Sequence, residues 1–351
     1  MSSADPTAAW ADPDVTLSVY CSGRLDDVIR GGLQPFLHHI EARGGRDGAY
    51  LWFLRYARDG EHLKVRLHGP EATREARRRL VDEDLRWFLR GLEEAASGAG
   101  PARLLEPGAP AIDEDEGSGE RRDRALVWTA YRRSHLSFGG GPFLQEGRYL
   151  ELFTRCLGAG CELVIEALAK GEDAAVSHRA RFETHLGLLR GALQGLVFEE
   201  ERRRAYLLYH RDGLIRHLVS KSPAPAAMAR TILDRFDRQL EQLDEEEGRP
   251  TAARGGRRWA ASVRELFEQA ARLGRDPAYR IDPFAEEAAF PPLFKVLHGV
   301  ANALGLNPLN EALAVHRLIG NARLLTGNRE VVFRPREAEL AWSGGTPWPT
   351  R

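Results

Sequence analysis

Polar and apolar residues alternate at residues 16–20 and 62–68, and this period of two predicts β-strands, as do the short, mainly apolar runs at residues 51–57 and 125–131. The predicted strands are residues 16–20, 51–57, 62–68 and 125–131. Asp59-Gly60 lies between the second and third stretches, and an Asp-Gly pair between apolar runs is the strongest short hairpin signal. A two-residue loop there would place Arg55 opposite Lys64 and Phe53 opposite Arg66.

A helical period dominates the rest of the chain. Apolar positions recur every three to four residues across 145–242, with breaks near Gly171 and at residues 220–225. Further helices are predicted at residues 26–41, with a bend at Gly31, Gly32 and Pro35, and at residues 71–96, 259–273, 291–304 and 309–325. A short strand is predicted at residues 331–333. Strands first and helices later indicate an α+β fold, in which an antiparallel sheet with a basic hairpin packs against a large set of α-helices.

Composition limits the partners and the location. Hydrophobic residues make up 43% of the chain, enough for a sizeable core, and 50 Lys and Arg nearly balance 51 Asp and Glu. A near-neutral chain gives no reason to expect a nucleic-acid or membrane partner. The three cysteines suit neither a disulfide framework nor a zinc ribbon, and neither a signal peptide nor an apolar run of ~18 residues is evident. We therefore expect a cytoplasmic protein, with flexible loops near residues 97–122 and 244–256.

One face of the predicted hairpin is basic. It carries His62, Lys64, Arg66 and His68, together with Phe53 and Arg55. The core face would carry Trp52, Leu54, Tyr56, Leu63, Val65 and Leu67. Like charges directly opposite each other, as Arg55 and Lys64 would be, cost roughly a few tenths of a kcal/mol, so a carboxylate, solvent or an anionic ligand should compensate. A solvated sheet face and a ligand-binding face fit the pattern equally well.

Two further segments carry candidate chemistry. Residues 131–143, Y-R-R-S-H-L-S-F-G-G-G-P-F, offer hydroxyl groups and glycine N–H groups that can hold a carbonyl or an anion, although an ordinary strand-to-helix turn is the more common outcome. In the last predicted helix, His316 lies on the mostly apolar face, where a buried core histidine is more common than a catalyst. No carboxylate at metal-ligand spacing completes a site with the other histidines, so we predict no metal.

The hairpin carries a family resemblance. L-S-V-Y at residues 17–20, followed by W-F-L-R-Y-A-R-D-G-E-H-L-K-V-R-L at residues 52–67, resembles the thiopeptide-type bacteriocin biosynthesis family. This family includes the glutamate-elimination domains of lantibiotic dehydratases and the stand-alone pyridine synthases of thiopeptide antibiotics. Its pattern is an arginine on the first strand and His-Leu-Arg-x-Arg on the second, here Arg55 and residues 62–66, with Lys64 at the middle arginine. The resemblance implies a single domain over residues 1–351.

The middle motif separates the two branches of the family. Family eliminases carry Tyr-x-x-Glu-x-x-Arg-Tyr-Gly-Gly after the middle strand. This chain keeps the frame from Tyr131 but has Ser134 in place of Glu and Ser137 in place of Arg. Loss of both charged groups favours the pyridine synthase branch. The resemblance then implies a formal aza-[4+2] cycloaddition of two dehydroalanines, followed by loss of water and of the leader peptide, which macrocyclises the product.

The resemblance also implies roles, a partner and alternatives. His316 or Tyr131 would transfer protons, and Ser134 and Ser137 would hydrogen-bond the imidate or the departing hydroxyl group. The substrate-binding set would be Phe53, Arg55, His62, Lys64, Arg66, Arg317 and Asn321. No cofactor is expected, the partner is a leader-bearing precursor peptide, and a homodimer is left open. The alternatives are a glutamate-eliminating lyase and a non-catalytic leader-binding protein.

Overall fold

The computed structural model describes residues 14–21, 23–42, 50–57, 61–68, 87, 91, 103–105, 125–130, 147–169, 177–196, 200–244, 256–274 and 290–320. Contacts within the chain divide it into two compact units. The first comprises Met1–Ser137, Leu144–Ser177 and Asn302–Gly305, and the second comprises Phe138–Phe143, His178–Ala301 and Leu306–Arg351. The described strands belong to the first unit and most of the described helices to the second.

Five strands form one sheet in the first unit. They are β1 (Asp14–Tyr20), β2 (Tyr50–Tyr56), β3 (His62–His68), β4 (Arg103–Leu105) and β5 (Ala125–Ala130), in the order β2-β3-β1-β5-β4. Neighbouring strands are antiparallel except β4 and β5, which run parallel. The predicted α+β class is confirmed, as are the four predicted strands. β4 lies inside the stretch predicted as a flexible loop, and the rest of that stretch falls outside the described residues.

The register of the hairpin differs from the prediction by one residue. Leu54, not Arg55, lies opposite Lys64, and Trp52, not Phe53, lies opposite Arg66. A shift of one residue moves every side chain of a strand to the other face. The observed register gathers the most apolar residues on one face: Leu51, Phe53, Leu63 and Val65, each at most 1% exposed. The predicted core-facing side of β2, and the predicted like-charge pair of Arg55 and Lys64, are therefore wrong, whereas Leu63 and Val65 of β3 lie on the core face as predicted.

Glu61 explains why the two-residue loop does not form. Its carbonyl accepts the N–H of Cys21 over 3.1 Å, which extends the β1–β3 ladder beyond the pair of Tyr20 and His62. Its carboxylate accepts the N–H of Gly23, at φ +71°, over 2.7 Å. Glu61 is thus held by the end of β1, and the hairpin loop is longer than the Asp-Gly signal predicts.

Helical segments make up most of the remaining described part of the first unit. α1 (Leu25–Val28) continues through a π-helical segment (Ile29–Leu33) into α2 (Gln34–Ala42), and α3 (Gly147–Ala169) follows the sheet in sequence. The π-helical segment contains Gly31 and Gly32, where the sequence predicts a bend. A single π turn inside a helix is a known cause of such bends.

The outer edge of β2 is covered rather than exposed. The side-chain amide of Asn302 pairs with the backbone of Arg55 as a neighbouring strand would, over 2.6 Å to the N–H and 3.1 Å to the carbonyl. The Cys161 thiol donates to the Phe53 carbonyl over 3.6 Å. A Cβ atom at Gly158 would lie 3.1 Å from the Leu51 carbonyl oxygen, so α3 approaches this edge closely because of that glycine. Covering an edge strand removes a template for unwanted strand pairing.

The second unit consists of helices in its described part. They are α4 (His178–Gly195), α5 (Glu200–Val219), α6 (Pro225–Asp244), α7 (Gly256–Gly274), α8 (Phe290–Leu304) and α9 (Pro308–Gly320), with Asn302–Gly305 grouped with the first unit. These helices confirm the predicted helical stretches between residues 145 and 320, except that α4 and α5 divide a stretch predicted as continuous. Residues 321–325 of the last predicted helix lie outside the described ranges. In the predicted helix at 71–96 only Trp87 and Gly91 are described, and both are helical. The predicted strand at 331–333 and residues 245–255 of the second predicted loop fall outside the described ranges.

The core of the second unit is built from apolar faces of these helices. α9 packs on α5 and α4, and α4 packs on α7. The buried indole of Trp259 donates to the Leu188 carbonyl over 2.9 Å, and Gly191 leaves room for its ring. Among the described residues no helix is both long and apolar enough to span a bilayer.

Candidate functional site

The basic face of the sheet is an aromatic and cationic layer. Because residues two apart share a face, the observed register places Trp52 and Tyr56 beside Lys64 and Arg66. The Arg66 guanidinium lies 4.5 Å from the centre of the Trp52 ring, and the Lys64 ammonium lies 4.6 Å from that of Tyr56. Cation–π contacts at this distance are stabilising, more so where water is excluded.

His62 lies between two tyrosines in the same layer. Its ring centre is 4.4 Å from that of Tyr20 and 5.4 Å from that of Tyr56. His62 is 3% exposed and Arg66 is 4% exposed. The face is therefore not the open, solvated surface that was one of the two predicted alternatives. Of the two cations over aromatic rings, Arg66 is buried and Lys64 is half-buried, and such an arrangement suits the recognition of a polar, electron-rich group.

Phe53 and Arg55 lie on the opposite face from this layer. Phe53 is fully buried. Arg55 donates from Nε to the Ala303 carbonyl over 2.8 Å and from Nη2 to Asp26 over 2.6 Å. Ala303 belongs to the last turn of α8, whose carbonyl groups have no partner within the helix, so the guanidinium acts as a cap. The side chains of Arg55 and Phe53 thus make structural contacts, and their predicted substrate-binding role stays a prediction.

His316 in the second unit is held at both ring nitrogens. Its Nδ1 accepts from Arg211 Nη1 over 3.2 Å, and its Nε2 lies 2.9 Å from Asp237 Oδ1. Burial lowers the pKa of His316, the Asp237 hydrogen bond opposes this, and the Arg211 charge adds to the lowering. The side chain is 11% exposed, as expected for a hydrogen-bonded core histidine. Its predicted role in proton transfer is untested by these contacts.

The remaining predicted residues fall into two groups. Arg317 is buried and donates to Glu183 on α4 over 3.1 Å, so it points to a different partner from its neighbour His316. Tyr131, Ser134, Ser137 and Asn321 lie outside the described residues. Among the side chains that are described, no three His, Cys, Asp or Glu groups are arranged to hold a metal ion.

A buried carboxylate that the sequence prediction missed joins three helices of the second unit. Glu311 on α9 is fully buried and accepts from His210 Nε2 on α5 over 2.8 Å and from His298 Nδ1 on α8 over 2.6 Å. The Tyr206 hydroxyl lies 3.1 Å from His210 Nδ1 and continues the chain of contacts. The signal in the sequence is a glutamate on the helix face that also carries Val315 and Leu318.

The Glu311 cluster has a defined charge. Burial by itself raises the pKa of a carboxyl group, but the His298 charge and the hydrogen bonds from His210 and His298 outweigh it and hold the pKa of Glu311 well below its ordinary value. At His298, burial lowers the pKa and the Glu311 carboxylate raises it by more. The net upward direction agrees with the 38% exposure of the His298 side chain, which limits the cost of burial.

His185 on α4 is the least satisfied polar group in the described core. It is fully buried, and neither ring nitrogen has a hydrogen-bond partner. Burial lowers the pKa of His185 to about 4, with Glu311 opposing this and His210 adding to it. The ring is therefore neutral at neutral pH, and the loss of its hydrogen bonds to water on folding is not compensated by hydrogen bonds within the protein.

Comparisons with known proteins agree with this architecture. The family profile described as "Lantibiotic biosynthesis dehydratase C-term" matches residues 15–322. No curated protein sequence matches significantly. Among solved structures, the pyridine synthase TbtD from thiomuracin biosynthesis is 18% identical, with a TM-score of 0.60 over 90% of this chain and 99% of that protein.

Two other solved structures share the fold. The tRNA-dependent lantibiotic dehydratase MibB from Microbispora sp. 107891 is 14% identical, with a TM-score of 0.51. The match covers 93% of this chain but 29% of MibB. TsrL is 12% identical, with a TM-score of 0.50 over 89% of this chain and 94% of TsrL. At these identities the likeness establishes a common fold.

Proposed function

This chain belongs to the lantibiotic biosynthesis dehydratase C-terminal family, whose profile matches residues 15–322, and we propose that it is a pyridine synthase of thiopeptide biosynthesis. The proposed reaction is a formal aza-[4+2] cycloaddition between two dehydroalanines of a leader-bearing precursor peptide. One amide tautomerises to an imidic acid and supplies the azadiene, and the second dehydroalanine supplies the alkene. Because this step joins two distant residues of the peptide, it also closes the macrocycle. Loss of water and then of the leader peptide makes the new ring aromatic.

The observation that carries this proposal is the pair Ser134 and Ser137 in the motif that starts at Tyr131. Expulsion of glutamate from a glutamyl ester calls for charged groups, and family eliminases have Glu and Arg at these two positions. Ring closure calls instead for orientation of two distant alkenes and for neutral hydrogen-bond donors. The likeness of fold to TbtD along almost all of that protein's length supports the same choice.

The predicted site residues divide into groups that bind the peptide and groups that take part in the reaction. We propose that the aromatic and cationic layer with His62, Lys64 and Arg66 binds the carbonyl groups or the acidic leader of the peptide. His316 or Tyr131 transfers protons, and Ser134 and Ser137 hydrogen-bond the imidate or the hydroxyl group that leaves. Phe53, Arg55, Arg317 and Asn321 complete the proposed substrate-binding set, with Arg55 acting through the position of β2.

The second candidate is glutamate elimination from glutamylated Ser or Thr. It is favoured by the family's name and by the retained histidine and arginine of the hairpin, His62 and Arg66. A third candidate, a non-catalytic leader-binding protein, needs only the basic face and no reaction.

The serine assignment is tested with a Ser134→Ala/Ser137→Ala double variant. Loss of two hydrogen bonds to the transition state is expected to slow macrocycle formation by roughly 10²-fold or more, if each contributes ~1.4 kcal/mol. The control is Ser220→Ala, which removes an exposed hydroxyl group at the end of α5. Macrocycle formation by the double variant at the parental rate would overturn the role of the serines.

A further inference from the structure

Asp237, Arg211 and His316 form a directional set of hydrogen bonds within the second unit. A guanidinium group can only donate hydrogen bonds, so His316 Nδ1, 3.2 Å from Arg211 Nη1, must be the accepting nitrogen. The proton of the neutral ring is then on Nε2, which donates to Asp237 Oδ1 over 2.9 Å. The three side chains come from α5, α6 and α9, and their arrangement fixes one tautomer of the ring.

We propose that Asp237 is a positioning residue for His316: it accepts the Nε2–H, holds the ring in that tautomer, and leaves Nδ1 as the nitrogen that takes up a proton. The inference rests on the proton-transfer role proposed above for His316. A carboxylate on one imidazole nitrogen makes the other nitrogen a better base and stabilises the imidazolium ion that forms.

The contacts around the His316 ring show how firmly each of its two hydrogen-bond partners is held. Arg211 is buried and is held through Nε by the Asp212 carboxylate at 2.8 Å. Phe236, fully packed on α6, places its ring 5.6 Å from that of His316. Asp237 itself is 68% exposed, so it depends on Phe236 and on His316 for its position. α6 therefore anchors next to His316 through two consecutive residues.

Burial lowers the pKa of His316, and the charges around the ring act in addition to it. Arg211 from α5 opposes the imidazolium ion, while Asp212 from α5 and Asp237 from α6 favour it. On α9 itself, Arg317 is turned to Glu183 of α4. When a proton reaches Nδ1, two donors face each other there and Arg211 Nη1 must withdraw. Asp237 is the direct hydrogen-bond partner that remains on the ring, so its charge determines the stability of the protonated state.

The test measures His316 directly by NMR on the full chain labelled with ¹⁵N-histidine, with His316→Gln used to assign the signals. The wild-type ring is expected in the neutral Nε2–H form. Asp237→Asn keeps an accepting oxygen but removes the charge, so the pKa of His316 should fall by about half a unit, the size of an exposed ion pair. The matched control is Asp234→Asn, one turn earlier on α6, which should leave that pKa unchanged.

The pH dependence of turnover gives the second reading. The acidic limb of the rate profile should move to lower pH in Asp237→Asn and stay in place in Asp234→Asn, a change that mere destabilisation of α6 does not produce. A wild-type ring protonated on Nδ1, or equal pKa values of His316 in the two variants, would overturn the proposal. Absence of ring closure in the wild type would instead count against the proposed function, and the NMR result would still decide the role of Asp237.

Discussion

Arg55 joins three segments of the first unit through a single guanidinium group. It contacts Asp26 on α1 and the Ala303 carbonyl of α8, while its own backbone holds Asn302. The family pattern marks this arginine as a site residue, but the observed register turns it away from Lys64 and Arg66. The sequence thus singles out Arg55 but places its side chain on the wrong face of the sheet.

Replacing Arg55 by lysine tests this structural role. One ammonium group cannot reproduce the two diverging contacts, so the free energy of unfolding should fall by roughly 1.5–3 kcal/mol, the range for a charge-assisted hydrogen bond. Urea unfolding measures the loss. Arg24→Lys, which alters an exposed pair with Asp27, is the control and should change little. Unchanged stability of Arg55→Lys together with weaker peptide binding would favour a direct role in the site.

His185 makes the opposite prediction, because its replacement should stabilise the protein. His185→Leu removes two buried nitrogens without partners at nearly constant volume. The pKa of His185 is about 4 in the folded state, against an ordinary value of 6.5. At pH 5 the ring is therefore protonated in the unfolded state and neutral in the folded state. The variant should therefore gain roughly 2 kcal/mol at that pH and less at pH 8. His178→Leu, at an exposed position, is the control. Destabilisation at both pH values would mean that His185 has a partner in solution.

Helices and strands are the scale at which the sequence predicts best. The 3.6-residue period located α3 and α6 to α9 to within a few residues, because a long amphipathic stretch has few alternatives. It predicted one continuous stretch where the structure has α4, ending at Gly195, and α5, beginning at Glu200. The strand bounds of β3 were predicted as observed, from alternation alone. The register of β2 was not, because it depends on the length of a turn that Glu61 modifies through contacts with Cys21 and Gly23. The Asp-Gly pair is a signal within the loop itself, so it cannot show that Glu61 is held by residues at the end of β1.

Two helical glycines provide a matched test of packing at this scale. A Cβ atom at Gly213 on α5 would meet the Phe294 ring at 3.6 Å, an ordinary contact, whereas at Gly158 on α3 it would meet the Leu51 carbonyl at 3.1 Å. Alanine gains up to about 1 kcal/mol over glycine in a helix interior. Gly213→Ala should keep that gain, and Gly158→Ala should lose it, because a sheet carbonyl cannot move aside. Thermal unfolding compares the two; equal shifts would show that α3 can move away from β2.

For the whole molecule, Glu311, His298 and His185 set the pH range of stability. The low pKa of Glu311 adds stability above the ordinary value of 4.5 that is lost as the pH falls. The raised pKa of His298 adds stability below 6.5 that is lost as the pH rises through the folded value. His185, with its lowered pKa, costs stability below 6.5. The free energy of unfolding should therefore peak near pH 6.5.

Urea unfolding at several pH values checks this curve. Glu311→Gln keeps the shape of the side chain, but it removes the charge that faces His210 and His298, so it should lower stability at pH 6.5 and flatten the alkaline limb. Glu166→Gln, at an exposed position on α3, is the control and should leave the curve intact. A wild-type curve that rises steadily to pH 9 would contradict the charge assignment of the cluster.

The candidate site shows why function was only partly predictable from the sequence. The basic residues of β3 lie close together in the sequence, and so do the serines of the Tyr131 motif. Each group can therefore be recognised as a motif. The Glu311 cluster is not, since His210 lies 101 residues away and its contact exists only after α5 and α9 pack. The same holds for Arg211 and Asp237. Their hydrogen bonds to His316 cannot be predicted from the spacing of these residues in the sequence.

Mass spectrometry of a dehydrated, thiazole-bearing precursor peptide incubated with the purified chain tests the proposed ring closure most directly. A pyridine synthase releases one water and expels the leader peptide as a carboxamide, so the masses of the macrocycle, the leader amide and water add up to that of the precursor. The proposed function predicts these products, and their loss in Ser134→Ala/Ser137→Ala but not in Ser220→Ala. Release of glutamate from a glutamylated peptide, with no leader-free macrocycle, would contradict the claim and identify an eliminase, and leader binding without turnover would identify a partner protein.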